Sequence, residues 1–443
     1  MYFSECYTLR DRGFCIFAHM NRPVLFAFCI LVMMTAGCAC SSGTEKFNPY
    51  GSGTVTPGPN SGDNGQTGDN GQTGDNGQTG DDPVIPGPTG NPVNMWGIDM
   101  TALQVGDKCY AIWSGWDKYY EAKEGNGQYM YIAEMTFSDT KPLVRLGQRH
   151  LLTEAQLSWE LKVGEAFSLV EGPCVMYHGD DIFLLYSTRG SWTVNYKIGI
   201  MKLVDKTDPL NPKSWEKKAT PFFTGLAPAD GKGSYGAGHC SVTVSPDGTE
   251  YWLNFHAKTS TQGGWTDRKV FFQKILFDAN GYPYMEKQAD PALPMTRPSG
   301  EYEIDLADGV ASPSRTFMNP VRDGADPWIV KVGNKYYVCK SGDKGVRIAE
   351  SRFITKFEGG KQFVGAATTV WQCPGTPDRW NEGNLWAPEL HYIKGKWYVF
   401  YAAGHQSEAP YWQHRTGALV SSSGPFGPYV EHDSEPLFTG EYE

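Results

Sequence analysis

The sequence predicts an all-β fold, a five-bladed β-propeller behind a disordered tether, and three observations predict it. Aromatic residues make up 14% of the 443, with 52 Gly and 29 Pro and no long helical periodicity, which favours short strands joined by tight turns. A hairpin signature of apolar approach, Gly-polar turn and aromatic strand recurs at Gly106, Gly179, Gly248, Gly333 and Gly395. The intervals between these glycines run from 62 to 85 residues, room for one four-stranded blade with long loops. Five such units account for residues 93–443, and no sixth is found.

The segment 1–37 reads as a targeting signal. Met20-Asn-Arg precedes an apolar run from Pro23 to Ala36, too short to span a bilayer comfortably. The run ends in Thr35-Ala-Gly-Cys38, which resembles a bacterial lipoprotein box, so Cys38 is the expected acylation site and mature N-terminus. An ordinary signal peptide with an incidental cysteine is the alternative, and Met20 is an alternative start. The expectation is an exported lipoprotein, held by its lipid at the outer-membrane, periplasmic or cell-surface face.

Residues 38–92 read as a linker. Three tandem copies of GDNGQT run from Gly62 to Thr79, and a Pro-rich DDPVIPGPTGNP follows. Such a stretch has no apolar surface with which to build a core. As a flexible chain it would span about 40 Å and hold the folded part off the membrane.

Charge and cysteine usage exclude other classes. A net charge of −10, without clustered Lys or Arg, argues against nucleic acid as a partner. Cys109, Cys174, Cys240, Cys339 and Cys373 lie far apart and lack CxxC spacing. They are therefore expected as small buried hydrophobes rather than a disulfide framework or a zinc site.

Upstream of each turn glycine stands one ionisable group: Asp99 in MWGIDMT, Glu171 in LVEGPCV, His239 in YGAGHCS, Asp326 in GADPWIV and Glu389 in LWAPELHY. The innermost strands of a propeller all run in one direction along the central channel. Groups at equivalent positions on those strands converge at one end of the axis. Four carboxyls and a histidine gathered there would repel and cost stability, so the recurrence points to a site. As plain structure, Asp326 would be a turn residue before proline, Asp99 and Glu171 solvated carboxylates, and His239 a satisfied loop histidine.

The stretches NPVRDGADPW, LWAPELHYIKGKWYVFYAA, WGIDMTALQVGDKCYAIWSGW, VEGPCV and GAGHCSVTVSPDG together resemble glycoside hydrolase family 43, over essentially all of 94–443. The resemblance implies a five-bladed propeller enzyme that cleaves arabinose- and xylose-containing glycans with inversion. Carried over residue by residue, it implies Asp326 as general base, Glu171 as general acid and Asp99 as modulator of the acid's pKa. His239 matches a channel-centre histidine found beside a hydrated cation or water, and Arg268 in TDRKVFFQ matches a pocket arginine. Glu389 stands where many members carry Asp after Trp-Ala-Pro, and is a candidate for substrate binding. Trp96, Trp116, Trp192, Trp328 and Trp386 lie close to these motifs; each is either a sugar-stacking platform or core. No cofactor is required on this reading, with a structural calcium ion at the propeller centre as an option.

One departure concerns order. In the family the Asp-Pro and Trp-Ala-Pro blades come first, whereas here they come fourth and fifth. Either the chain is a circular permutant, with the segment Lys287 to Phe317 bridging the usual termini, or it joins the tail of one domain to the head of another. The expected activity is that of a lipid-anchored exo α-L-arabinofuranosidase acting on plant cell-wall oligo- or polysaccharide. β-Xylosidase or endo-arabinanase activity is the near alternative, and a non-catalytic glycan-binding propeller the rival of another class.

Overall fold

The structure, a computed structural model, describes residues 97–116, 127–163, 167–342, 344–356, 367–405 and 414–437. The readings placed on the signal, on the linker, on Cys38 and on Trp96 lie outside the described residues, as does the side chain of Trp116.

Each of the five hairpin signatures is the first turn of an antiparallel sheet. Blade I comprises Ile98–Val105, Lys108–Trp116, Gln128–Phe137 and Val144–Leu146, with His150–Thr153 also paired to the third strand; blade II Val170–His178, Asp181–Thr188, Lys197–Leu203 and Phe223–Thr224, with Trp215–Lys217 also paired to the third. Blade III comprises Tyr235–Val244, Tyr251–Lys258, Arg268–Phe277 and Pro283–Tyr284, with Arg322–Asp323 also paired to the third strand. Blade IV runs Trp328–Val332, Lys335–Gly342, Gly345–Ser351 and Thr368–Gln372, and blade V Gly383–Ile393, Lys396–Gly404, Arg415–Ser421 and Val430–Glu431. The five turn glycines all adopt positive φ, between 59° and 79°, a backbone state that side chains with a Cβ resist. That is why glycine marks every repeat.

Five apolar clusters hold the molecule together, one at each seam between consecutive blades. Leu103, Ile112, Leu184 and Tyr186 join I to II; Phe183, Ile198, Phe255 and Phe271 join II to III. Trp252, Phe272, Ile329 and Tyr336 join III to IV, and Cys339, Ile348, Leu390 and Val399 join IV to V. The fifth cluster, with Met100, Trp113, Tyr398, Phe400 and Val420, joins V back to I. The ring is closed. At this last seam Thr416 Oγ1 donates to Gly97 O at 2.9 Å, and Leu437 N donates to Thr416 O at 2.8 Å. The start and end of the described chain therefore meet at one seam. Burying a face of each blade on both neighbours removes apolar surface that separate fragments would leave in water.

The bridge between blades III and IV packs Met295 and Phe317 against the seam cluster and is further ordered by buried charge. Arg297 contacts Glu301 at 3.0 Å and Asp305 at 2.7 Å, all three nearly inaccessible. Glu301 Oε1 accepts from the amides of Ile354 and Thr355 at 2.6 and 3.0 Å, and Lys356 Nζ reaches Asp305 at 2.5 Å. Every charge in this set has a partner, which offsets the cost of burying it. The short helix Glu301–Ala307 is thereby tied to the segment beyond the third strand of blade IV. Cys109, Cys174, Cys240 and Cys339 are buried free thiols and Cys373 is half-buried, as expected of small hydrophobes.

Candidate active site

The inner strands share a local irregularity that aims the site residues. In four blades the pairing with the second strand slips around the site: between Ile98 and Thr101, Glu171 and Cys174, Gly238 and Ser241, and Trp386 and Glu389, with an earlier second slip in blades III and V. At each of the four slips around the site one residue has positive φ: Asp99 at 57°, Gly172 at 53°, His239 at 42° and Ala387 at 42°. Asp326, just before the inner strand of blade IV, has φ 48°. Such bulges turn a side chain out of the regular alternation and are used next to active sites. For a residue with a Cβ they also store strain, of order 1–3 kcal/mol each.

These backbone states correct the expectation that the five ionisable groups occupy equivalent positions. The equivalent set is Asp99, Gly172, His239, Asp326 and Ala387. Glu171 stands one residue before its bulge position and Glu389 two residues after. The one-residue offset of Glu171 makes room at Gly172, where an added Cβ would come within 3.1 Å of the His239 ring. The Gly172 amide instead donates to Asp99 Oδ2 at 3.2 Å. Glu389, farther along its strand and only 2% exposed, faces His391 Nε2 at 3.0 Å and lies near Thr101 and Cys174.

His239 is the pivot of the cluster. Its Nδ1 lies 3.3 Å from Asp326 Oδ1 and 3.9 Å from Asp99 Oδ2, so the two carboxylates are no farther apart than those distances together. Its backbone amide donates to Ser187 Oγ at 2.7 Å. Arg268 NH1 reaches Asp326 Oδ1 at 3.2 Å while its Nε donates to Trp265 O at 3.1 Å. Glu171 receives a 3.1 Å hydrogen bond from Gln128 Nε2, which also donates to Ser114 Oγ at 2.7 Å.

The electrostatics split the carboxyls into two kinds. Burial would raise Asp326, but His239, Arg268 and His256 reverse the effect and hold it well below the carboxylate range. Asp326 is therefore an anion at any ordinary pH. Burial pushes Glu171 up to about 7; the Asp326 charge adds to the rise, while the Tyr196 hydroxyl, Gln128 and Arg268 oppose it. Asp99 is raised well above its ordinary value by burial, then by Glu171 and Asp326. Glu389 is raised likewise, by burial and then by Cys174. Two carboxyls whose surroundings drive their pKa values apart are the arrangement that divides acid from base.

Two aromatic positions read from sequence are placed as follows. Trp328 donates its indole N–H to Leu390 O at 2.8 Å, and its ring packs beside His391 in the seam clusters. Trp386 stacks on His414 at 3.5 Å between ring centres and donates to Asn384 Oδ1 at 3.0 Å. The cluster also contains residues that no motif announced. His256 is fully buried, its Nδ1 3.3 Å from Asp326 Oδ1, and burial lowers it to about 4. It pairs in register with Gly238 on the inner strand. Tyr196 stacks on it at 5.5 Å and fills the space over Gly238, where a Cβ would come within 2.0 Å of the phenol ring. Only strand alternation, with no family motif, marks His256 in YWLNFHAK.

The donor set does not suit a directly bound calcium, which takes six to eight oxygen ligands. Among the described residues no three His, Cys, Asp or Glu side chains converge as a ligand group, and the His239 ring faces two carboxylates.

A family model described as glycosyl hydrolases family 43 matches residues 80–283 and 317–439. The chain belongs to glycosyl hydrolase family 43. The stretch between the two matched segments coincides with the bridge from blade III to blade IV. This family 43 chain is 30% identical over 202 residues to an extracellular exo-α-(1→5)-L-arabinofuranosidase of Streptomyces avermitilis, covering 44% of this chain and 39% of that one. It is 28% identical over 198 residues to α-L-arabinofuranosidase 43 of Humicola insolens, covering 42% and 37%. It thus spans less than half the length of these curated relatives. A solved α-L-arabinanase of Cellvibrio cellulosa, complexed with arabinohexaose, is similar over 78% of this chain and 99% of its own, at 16% identity and a TM-score of 0.48.

Proposed function

We propose that this chain is an inverting glycosidase that removes terminal α-L-arabinofuranosyl units from plant cell-wall glycans. The observation that carries the reading is the opposite displacement of two carboxyls around His239. Asp326 is held ionised, fit to take a proton from an attacking water. Glu171 is held protonated up to about pH 7, fit to give one to the departing oxygen. Inverting hydrolysis needs one carboxyl in each state on opposite faces of the sugar. Asp99, raised by burial and then by Glu171 and Asp326, titrates together with the acid and is assigned as its modulator. The choice of arabinofuranoside over xyloside rests on the names of the relatives.

The test pairs an aryl α-L-arabinofuranoside with an aryl β-D-xyloside, with Asp326→Asn as control. Release from the arabinofuranoside with the β-anomer formed first is expected. Preference for the xyloside would overturn the sugar, and initial retention of the α-anomer would overturn the inverting mechanism. No turnover of any furanoside, pyranoside or polysaccharide would make the protein a glycan-binding module.

Lipid anchoring through Cys38 is proposed with it, on the Thr35-Ala-Gly-Cys38 box. Labelled fatty acid should enter the wild type and not Cys38→Ser. Equal labelling of the two would end that proposal.

A further inference from the structure

The carboxylate proposed as general base is fastened by the blade before its own. Pairing with the third strand of blade III ends at Asp323, and pairing within blade IV begins at Trp328. Asp326 lies in the crossover between these ladders, its φ of 48° in the left-handed region that residues other than glycine seldom enter. Two fully buried polar side chains hold the crossover, Asn254 and His256, which alternation along the second strand of blade III places on one face. His256 Nδ1 accepts from Asp326 N at 3.1 Å and lies 3.3 Å from Asp326 Oδ1. Asn254 Nδ2 donates to Ser241 Oγ at 3.1 Å; that hydroxyl donates to Pro327 O at 2.9 Å and accepts from Ile329 N at 3.3 Å.

His256 occupies one place in a set that register defines. In four blades the residue just before the positive-φ position pairs with the second strand: Ile98 with Ser114, Glu171 with Ser187, Gly238 with His256 and Trp386 with Ala402. Three members of this rung reach the segment that enters the next blade. Ser114 Oγ donates to Val170 O at 2.6 Å, Ser187 Oγ accepts from His239 N at 2.7 Å, and His256 does the same for Asp326. Only His256 presents a ring there, and the ring is fixed in turn. Tyr196 stacks on it with 14° between the planes. Its Nε2 is buried without a hydrogen-bond partner among the described residues. Such an atom costs stability, and a phenyl ring would fill the space without that cost. Packing alone therefore does not account for a histidine at this position.

We propose that His256 is a positioning residue for the general base, its Nδ1 holding Asp326 in the left-handed conformation that presents the carboxylate to the reaction. The inference rests on the glycosidase reading above. With the lone pair on Nδ1 the ring accepts from the amide of Asp326, and with the proton there it donates to the carboxylate. In either tautomer the partner is the same residue. His256 touches neither substrate nor leaving group on this account; it acts through Asp326.

The experiment uses the full chain and an aryl α-L-arabinofuranoside. His256→Phe keeps the ring and its stack but removes both nitrogens. It should lower kcat about 30-fold, within the ~10²-fold that a 1 Å misplacement can cost, and change KM less than about twofold. A second pair of variants covers the case in which the phenyl ring prevents folding. His256→Asn and His256→Leu share one outline, and only the first, with its amide, should keep most of the wild-type kcat. In an Asp326→Asn background His256→Phe should cost nothing further, because residues that act as a unit are not additive. Amide hydrogen exchange over residues 324–329 should be faster in His256→Phe than in the wild type, since the bond to Asp326 N is gone. Equal kcat in His256→Asn and His256→Leu, or the full loss repeated in the Asp326→Asn background, would overturn the proposal. Absence of wild-type turnover on every glycoside would instead strike the glycosidase reading. The exchange comparison then judges the clamp, and equal rates over 324–329 would end it.

Discussion

Asp326→Asn is expected to lower kcat/KM by about 10³-fold, within the 10²–10⁴ that a positioned base supplies. The reason lies in what surrounds the carboxylate. Arg268 at 3.2 Å and His239 and His256 at 3.3 Å all favour its charge. An amide has the same shape but cannot accept the proton of an attacking water. The substitution also leaves Arg268 without its counter-ion. Both side chains keep some exposure, 15% and 25%, so solvent screens the loss and the fold should survive with a lower melting temperature. Added azide distinguishes lost chemistry from lost structure. A small anion that needs no deprotonation should occupy the position of the water and restore turnover, giving a glycosyl azide of inverted configuration. A variant that retains wild-type activity would remove Asp326 from the mechanism.

Glu171→Gln is expected to cost a comparable factor on substrates with poor leaving groups, and far less on activated aryl glycosides, which depart with little protonation. Its pH dependence follows from the sign of the shift. A carboxyl raised to about 7 is protonated below that pH and loses its proton above it. Wild-type kcat/KM should therefore fall as pH rises through about 7, and the Gln variant should lack that limb. The midpoint belongs to the coupled Glu171 and Asp99 pair rather than to either alone. Stability moves with the same proton. Between the ordinary value of 4.5 and about 7 the folded protein holds a proton that the unfolded chain releases, so wild-type stability is full below that window and declines as pH rises through it. Glu171→Gln should melt at the same temperature as wild type or higher at pH 8. A basic limb that persists unchanged in the variant would assign the acid to another group.

Much of this was legible along the chain because a propeller repeats itself. Every inner hairpin needs a tight turn, the turn needs positive φ, and glycine supplies it; Gly106, Gly179, Gly248, Gly333 and Gly395 therefore count the blades and set their spacing. The family motifs that name Asp99, Glu171, His239 and Asp326 are local for a related reason. Each lies at or beside an irregular, positive-φ position before that hairpin, and such a position needs particular neighbours, such as Gly172 against the His239 ring.

What no single stretch specifies is how the blades meet. The closure of blade V on blade I joins Trp113 and Met100 to Phe400 and Val420, residues more than 280 positions apart that are adjacent only because the ring leaves no edge. The offset of Glu171 and Glu389 from the other site positions is likewise decided in three dimensions, by where pairing with the second strand slips. So are the charge states. Asp326, Glu171 and Asp99 are the same functional group in sequence; Asp326 alone faces Arg268 and two imidazoles within 3.3 Å, while burial raises the other two. A pKa is set by the dielectric and the charges nearest a group, and those neighbours come from other blades. The chain by itself determined the repeat and the residue types at each bulge; packing around the axis decided which carboxyl keeps its proton.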